Sequence, residues 1–411
     1  MNPSATYKTK TLLKVLKALN HFSDTAPLSG TVVLKDGEFS VYSTIQCTIS
    51  NTLDEFQISN TGVQTATNLK QLIRAVEAGK KAEYTTITDN PANTLTLDTT
   101  IKSNQPTVAL EGFESTFKTD THLDDNDLLD DTAYARISYR ELMSLTTFSL
   151  KYDDRLHGFS NILYSVYVEK GANRLVVCDG TRAHTASGVG VVEVDSVKDF
   201  EGIVINVEAL RKLAKAVKAL GIKPTVVKVL AHGTRKEVTL RIEGAFNRGY
   251  AIEVTHKMEG SPYPRYEGLF TPNPTYRAEF GIDAMLETLT ELKPFVNPRK
   301  PIVKLAFQPT AKSITPSAES EGEVTTGRAV PTTHFNNPQW DALPHLHLNI
   351  TYFTEALKMY RALGYRELQL ATNGRLEPCL LHPVYETIDP DRTPPNAHRH
   401  MIATVDVKES E

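Results

Sequence analysis

Cysteine, tryptophan, long apolar runs and any surplus of positive charge are all missing or scarce in this chain. Its three cysteines, Cys47, Cys178 and Cys379, are too few and too scattered for a disulfide framework or a Cys-x-x-Cys zinc site, so a reducing compartment is expected. No stretch approaches the ~18 consecutive apolar residues that read as a membrane-crossing helix, and no membrane partner is expected. With 45 Lys and Arg against 49 Asp and Glu, the formal net charge is −4. That excludes a uniformly basic nucleic-acid binder but leaves room for a basic face on an acidic body, because the local field rather than the sum attracts a polyanion. Walker, Gly-x-Gly-x-x-Gly and Gly-x-Ser-x-Gly patterns are also absent, which removes the usual signatures of phosphate cradles, dinucleotide sites and serine hydrolases.

What is present is an ordinary globular composition, 40% hydrophobic and 23% charged over 411 residues, enough chain for two to four domains with cores of their own. Residues 7–22 are basic, amphipathic and free of acids, as a transit peptide would be. The charge comes from lysine, and Lys14 and Lys17 interrupt any apolar core, so a first amphipathic helix is the expectation.

Self-comparison exposes a repeat. Asn68, Asn206 and Asn349 each open an apolar stripe at helical spacing that closes on a glycine, at Gly79, Gly221 and Gly364. Asparagine is a good N-cap and glycine a good residue just past a helix end, so three equivalent helices are predicted, each after a short strand-like stretch (63–65, 203–205 and 346–348). A second helix type precedes each one, over 11–21, 138–150 and 282–292, and β-rich runs with turn residues fill the intervals. The order helix, strands, helix, strands recurs in every third. The expected fold class is therefore α+β, three tandem copies of one domain over 1–125, 132–257 and 263–411. The acidic run 120–131 and the proline-bearing run 257–274 are the expected connectors, and the polar stretch 309–344 reads as a long hairpin with an inserted loop. A calcium loop at 120–131 is excluded by the missing glycine and terminal glutamate.

Charge follows the helices. The six helical segments carry a combined +11, so a chain of net −4 keeps −15 elsewhere. Lys10, Lys14, Lys17, Lys70, Arg74, Lys80, Arg211, Lys212, Lys215, Lys218, Lys358 and Arg361 are the candidate phosphate-binding side chains; the plain alternative is that they solvate outer helix faces. The segment 281–293 is the exception at −2. Catalytic candidates are weak. Cys178 with His184 nearby could be drawn as a nucleophile and base, but a thiol ending an apolar strand is expected to be packed. His345, His347, His398 and His400 make two His-x-His pairs without supporting ligand spacing, and alternation along strands accounts for them. No catalytic residue, metal or cofactor is expected.

Four segments then occur in a telling order: Arg155-Leu156-His157-Gly158-Phe159-Ser160-Asn161-Ile162-Leu163; Val177-Cys178-Asp179-Gly180-Thr181-Arg182-Ala183; Tyr263-Pro264-Arg265-Tyr266 with Leu269; and the closing stretch 352–363, Glu367–Leu370, Pro378 and Met401–Val407. On the three-copy repeat, they resemble the bacterial DNA polymerase III beta subunit, the sliding clamp, over nearly the whole chain. Thr181 and Ala183 stand where that family has histidine and leucine. Residues 403–407 lack its proline and arginine, and residues 23–25 lack its DNA-contacting arginine. The resemblance implies a homodimeric ring of clamp domains, with helices lining a hole and antiparallel sheets outside, that encircles duplex DNA in the cytoplasm, at the nucleoid. It adds Arg155 and His157 to the DNA-binding set. It implies a pocket for polymerase and clamp-loader peptides at Phe159, Cys178, Gly180, Thr181, Arg182, Ala183, Pro264, Leu269, Met401, Ile402, Ala403, Thr404 and Val405. It also implies a subunit joint at Val108, Leu110, Phe295 and Val296. A clamp-like scaffold that does not encircle DNA, and a nucleic-acid-processing enzyme, are the alternatives from other classes.

Overall fold

A computed structural model describes residues 3–23, 30–35, 37–51, 57–60, 63–90, 94–99, 108–113, 132–147, 165–169, 174–179, 181–187, 202–233, 235–242, 249–258, 263–270, 274–320, 322–336, 343, 345–384 and 398–406. The chain divides into two compact units, residues 1–139 with 193–260, and residues 140–192 with 261–411. Six α-helices lie among the described residues: α1 (Thr9–Leu19), α2 (Leu69–Ala78), α3 (Tyr139–Ser144), α4 (Val207–Leu220), α5 (Ile282–Leu292) and α6 (Ile350–Leu363).

The three predicted asparagine caps are all in place. Asn68, Asn206 and Asn349 sit in extended backbone, and each accepts a hydrogen bond from an N–H of the first helical turn. That satisfies a donor with no partner inside the helix. Gly221 and Gly364 end α4 and α6 at φ 69° and 94°, in the left-handed region where glycine pays no Cβ penalty. Gly79 ends α2 at φ −90° instead, so there the glycine serves no left-handed cap. The first helix type is less regular. The helix expected over 138–150 is only α3 followed by a 3-10 turn, Leu145–Thr147, while residues 148–150 lie outside the described set.

All strand pairings described within each unit are antiparallel. In the first unit the sheet runs from Thr132–Ser138 through Val226–His232, Glu237–Ile242 and Tyr250–Lys257 to Ile45–Asn51. It continues through strands of the first third to Ser4–Lys8 and Gln57–Asn60. The pairing of Tyr250–Lys257 with Ile45–Asn51 carries the sheet from the middle third into the first, with Ile252 opposite Ile49 and Val254 opposite Cys47. The second unit repeats the device, as Arg182–Ser187 pairs with His398–Ile402. From there the sheet runs through Cys379–Pro383, Glu367–Thr372, Tyr276–Gly281 and Val330–Phe335 to Ser313–Ser320, Ile302–Gln308 and His345–Asn349. The polar stretch after 309 is the expected hairpin, Ser313–Ser320 with Glu323–Thr326, turning at Gly322.

Helices cover one side of each sheet. Leu12, Leu16 and Leu19 of α1, and Leu210, Leu213 and Val217 of α4, are buried, and α1 packs on both α2 and α4. In the second unit α5 packs on α6, with Phe280 and Phe353 edge to face at 6.3 Å. Gly327 lets the chain pass tightly over α5, because a Cβ there would stand 2.7 Å from the Thr288 methyl. One consequence is checkable. Asn349→Ala removes the acceptor for the Thr351 and Tyr352 N–H groups (2.9 and 3.3 Å), and should lower stability by about 1 kcal/mol, seen as a lower urea midpoint.

Candidate functional site

Two surfaces gather the chemistry, one in each unit. In the first unit, the apolar stripes of α1, α2 and α4 face the sheet, which leaves their lysines outward. Lys10, Lys14 and Lys17 follow one another at four- and three-residue steps along α1, so they share a stripe, and all three are exposed. Lys70, Arg74 and Lys80 are exposed on and after α2, as are Lys215 and Lys218 on α4. Lys17 reaches Glu77 of α2 at 2.7 Å and holds that carboxyl below its usual range by hydrogen bond and charge. Arg211 stands 4.0 Å from Glu208. His21 is lowered by partial burial and then by the charge of Lys215, which places the end of α1 beside α4. Lys212 departs from expectation. It is only 8% exposed and forms a buried stripe with Ala209 and Ala216, three and four residues apart, so it belongs to the packing of α4 and not to an outward face.

Among the described residues, α5 and α6 of the second unit present less outward positive charge than α1, α2 and α4. Lys358 is exposed on α6, but Arg361 turns to Asp283 of α5 at 3.5 Å. Arg328 bridges Glu287, at 3.2 Å, and Glu291. The acids that make 281–293 negative are thus met by arginines of the same unit.

The pocket expected in this unit has an apolar floor. Cys178, Ala183, Ala371, Leu380 and Met401 form one buried cluster, and Tyr263, Leu269 and Phe270 pack against it half-buried. The register explains the grouping: Cys178 faces Ala183, Ala183 faces Met401, and Leu380 faces Met401, so all four point to one side of the sheet. The same alternation corrects two expectations. Arg182 and Ile402 pair with each other and point to the opposite side, buried at 2% and 0% exposure. There the Arg182 guanidinium binds Asp179 at 2.7 Å and Glu355 of α6, and lies 4.2 Å over the Tyr352 ring. It is a tie between strand and helix. Alternation also separates Cys178 from His184, since His184 faces Val177; a nucleophile–base pair does not form.

The rim is built by the 263–269 segment. The Cys178 N–H donates to the Tyr263 hydroxyl at 3.0 Å, and the Tyr263 ring stacks on Tyr167 at 4.7 Å. Tyr266 donates to Glu169 and accepts from Arg174, at 2.9 and 3.2 Å; burial, ahead of these neighbours, raises its hydroxyl to about 12. Pro264 is half-buried and Thr181 exposed, with the Thr181 N–H and hydroxyl turned onto Asp179. Ala403, Thr404 and Val405 are half-buried. The Ala403 and Val405 N–H groups donate to the carbonyls of Thr181 and His347, so the chain lies across the strand ends beside the cluster. Ala371, Leu380, Phe270 and Tyr167 belong to this site without having been singled out. Register reveals two of them, since Leu380 faces Met401 and Ala371 faces Leu380; Phe270 packs on the cluster and Tyr167 stacks on Tyr263.

Arg155, His157, Phe159 and Gly180 lie outside the described residues. Val108 and Leu110 fall on the strand Val108–Phe113, opposite Leu97 and Leu95. Phe295 is 51% exposed, one of few large apolar side chains so placed among the described residues, whereas Val296 is buried. Among the described residues no group of three or more His, Cys, Asp or Glu is arranged to hold a metal, and no helix is long and apolar enough to cross a membrane.

No protein-family profile matches the chain, and no curated protein does. Solved structures match it closely in fold. The DNA polymerase sliding clamp from Bacillus subtilis superposes with a TM-score of 0.75 at 15% identity, over 99% of this chain and all of that one. The beta subunit from the DNA polymerase of Streptococcus pyogenes gives 0.74 at 14%, over 98% of this chain and 100% of its own. The DNA polymerase III beta subunit from Thermotoga maritima gives 0.71 at 12%, over 99% and 100%. The α+β fold with antiparallel sheets is the one these clamps share. The buried tie described above yields a prediction. Arg182→Met leaves Asp179 and Glu355 without their cation and should cost about 3 kcal/mol of stability. Arg182→Met with Glu355→Met should recover part of that loss in the same urea titration.

Proposed function

We propose that this chain, which has the sliding-clamp fold, is a DNA sliding clamp: a non-catalytic ring that encircles duplex DNA and tethers polymerase and loader peptides. The observation that carries the reading is the exposed cationic face of α1, α2 and α4 on a fold shared with clamps from end to end. In this reading residues 1–125, 132–257 and 263–411 are three pseudo-equivalent domains. Two chains close head to tail, and the helices line the hole. Phosphate attraction through Lys10, Lys14, Lys70, Arg74, Lys80, Lys215 and Lys218 reads no base, so the ring is held and still slides. The −15 carried outside the helices keeps DNA off the exterior. Arg155 and His157 join this set by resemblance. Closure covers strand edges at the joint, with Phe295 as its apolar contact and Val108 and Leu110 as those of the facing subunit.

The peptide partner would dock on the apolar cluster of Cys178, Ala183 and Met401, rimmed by Leu269 and Pro264. Ala183 makes the floor shallow in bulk, which favours a larger apolar end on the partner than a leucine-lined floor would. A second reading, a scaffold that does not encircle DNA, draws on α5, whose acids occupy Arg328 and Arg361 and leave α5 and α6 a weaker cationic face.

Three measurements test the proposal. Lys215→Glu with Lys218→Glu should release loaded protein from nicked circular DNA faster and flatten the salt dependence of retention, by about 0.9 in log–log slope for each phosphate no longer neutralised. Lys212 is left in place because its substitution would disturb the core. Unchanged retention would favour the scaffold. Leu269→Asp should weaken a labelled clamp-binding peptide of the cognate polymerase by roughly tenfold to a hundredfold, the effect typical of removing a buried apolar anchor. Sedimentation of Phe295→Asp should show a shift from dimer to monomer.

A further inference from the structure

Three imidazoles share the side of the Arg182–Ser187/His398–Ile402 pairing that faces away from the apolar cluster. His184 and His400 are directly opposite in the register, and His398 follows two residues before His400 on the same side. His184 lies 5.6 Å, ring centre to ring centre, from each of the other two. His398 Nδ1 stands 3.5 Å from His184 Nε2, and His398 Nε2 stands 3.4 Å from the Glu141 carboxyl of α3. The Tyr360 ring of α6 lies 5.9 Å from His184, and Tyr365 closes the group 5.6 Å from His398. None of the three histidines is more than 2% exposed.

Among the described residues, the charges placed against this group are already engaged. Arg182 lies on the same side as His400 and is bound to Asp179 and to Glu355 of α6. Glu141 is the carboxyl within ion-pair distance of His398, and Arg140 beside it points to the Ala362 carbonyl of α6. The neighbouring strands bring apolar groups, Val177 opposite His184 and Leu381 opposite His400. His382 and Arg399 occupy the other side by alternation. One proton can be held between His398 and Glu141. A second, on His184 or His400, would set like charges together beside Arg182 in a buried site.

We propose that this strand pairing is an acid-sensitive joint, which opens when its histidines take up protons and carries the apolar cluster apart with it. Ala183 and Met401 sit one residue along from His184 and His400, so the cluster cannot outlast the pairing. Burial holds His398 at about 4 and His400 at about 3, the latter also pressed down by Arg182. Burial, then the two neighbouring imidazoles, keeps His184 well below its ordinary value. Burial raises Glu141. Because the folded histidines bind protons less readily than free ones, the joint is at full strength above pH ~6.5 and weakens as pH falls below it.

Hydrogen exchange of the full chain between pH 7.5 and 5, corrected for the intrinsic rate, tests this. Amides of Arg182–Ala186 and His398–Ile402 should lose protection by at least tenfold per pH unit below ~6.5, while Thr31–Lys35 and Glu38–Val41, a pairing without histidine, keep theirs. Equal loss in both sets, or no loss in either, overturns the joint. Imidazole titration by NMR should show these three rings unchanged down to pH ~5 before opening; titration near 6.5 with protection intact overturns it as well. His400→Leu should reduce the pH slope by about one proton, and an unreduced slope in the folded variant counts against the proposal.

Discussion

The antiparallel pairing of strands far apart in sequence is the constraint on which both units depend. Arg182–Ser187 finds His398–Ile402, and Tyr250–Lys257 finds Ile45–Asn51. Each pairing turns two partial sheets into one and removes two edges that would otherwise template association with other chains. Because side chains alternate across a strand, fixing this register also decides which residues share a surface. Ala183 and Met401 go to one side with Cys178 and Leu380, while Arg182, His184 and His400 go to the other, under α6. A slip of one residue would exchange the two sets and put a guanidinium in the apolar cluster. The Arg182 contacts to Asp179, Glu355 and the Tyr352 ring stand against such a slip.

The two units treat helical charge differently. On α1, α2 and α4 most lysines extend outward, and Lys17 pairs with Glu77 from one helix to the next. On α5 and α6 the arginines are drawn onto carboxylates, with Arg361 on Asp283 and Arg328 on the two glutamates of α5. Exposed pairs of this kind add little stability. They do alter the field, because a paired guanidinium offers less to a passing anion than an isolated ammonium does. Among the described helices, outward positive charge is therefore carried mainly by α1, α2 and α4 of the first unit.

Much of this was legible in the residues. The three Asn-to-Gly helices begin where the caps placed them, because capping is a local bargain between a side chain and the next few N–H groups. The strand–helix order, the hairpin after 309 and the short span Ile282–Leu292 follow from equally local patterns. Legibility ended where a second segment was needed. Lys212 reads as one more lysine on a polar helix face, and only the folded packing around α4, with Ala209 and Ala216 on the same stripe, shows it buried. Arg182 and Ile402 sit inside motifs with Ala183 and Met401, yet alternation against a strand some 200 residues away sends them elsewhere. Ala371 and Leu380 join the cluster for the same reason, and no local signal marks them.

The cross-third pairing has a mechanical consequence. Seven residues of Ile45–Asn51 are matched in register to Tyr250–Lys257, so the first and middle thirds are held by a ladder of hydrogen bonds as well as by the covalent chain between Phe113 and Thr132. Load applied across that boundary runs through the ladder, and the ladder shears only if several bonds break together. A single cut in the covalent connection would leave two fragments with complementary open edges, each the other's missing strand. The chain thus behaves at this joint less like beads on a string than like planks in a tongue-and-groove floor, where the boards keep their alignment after the string is gone.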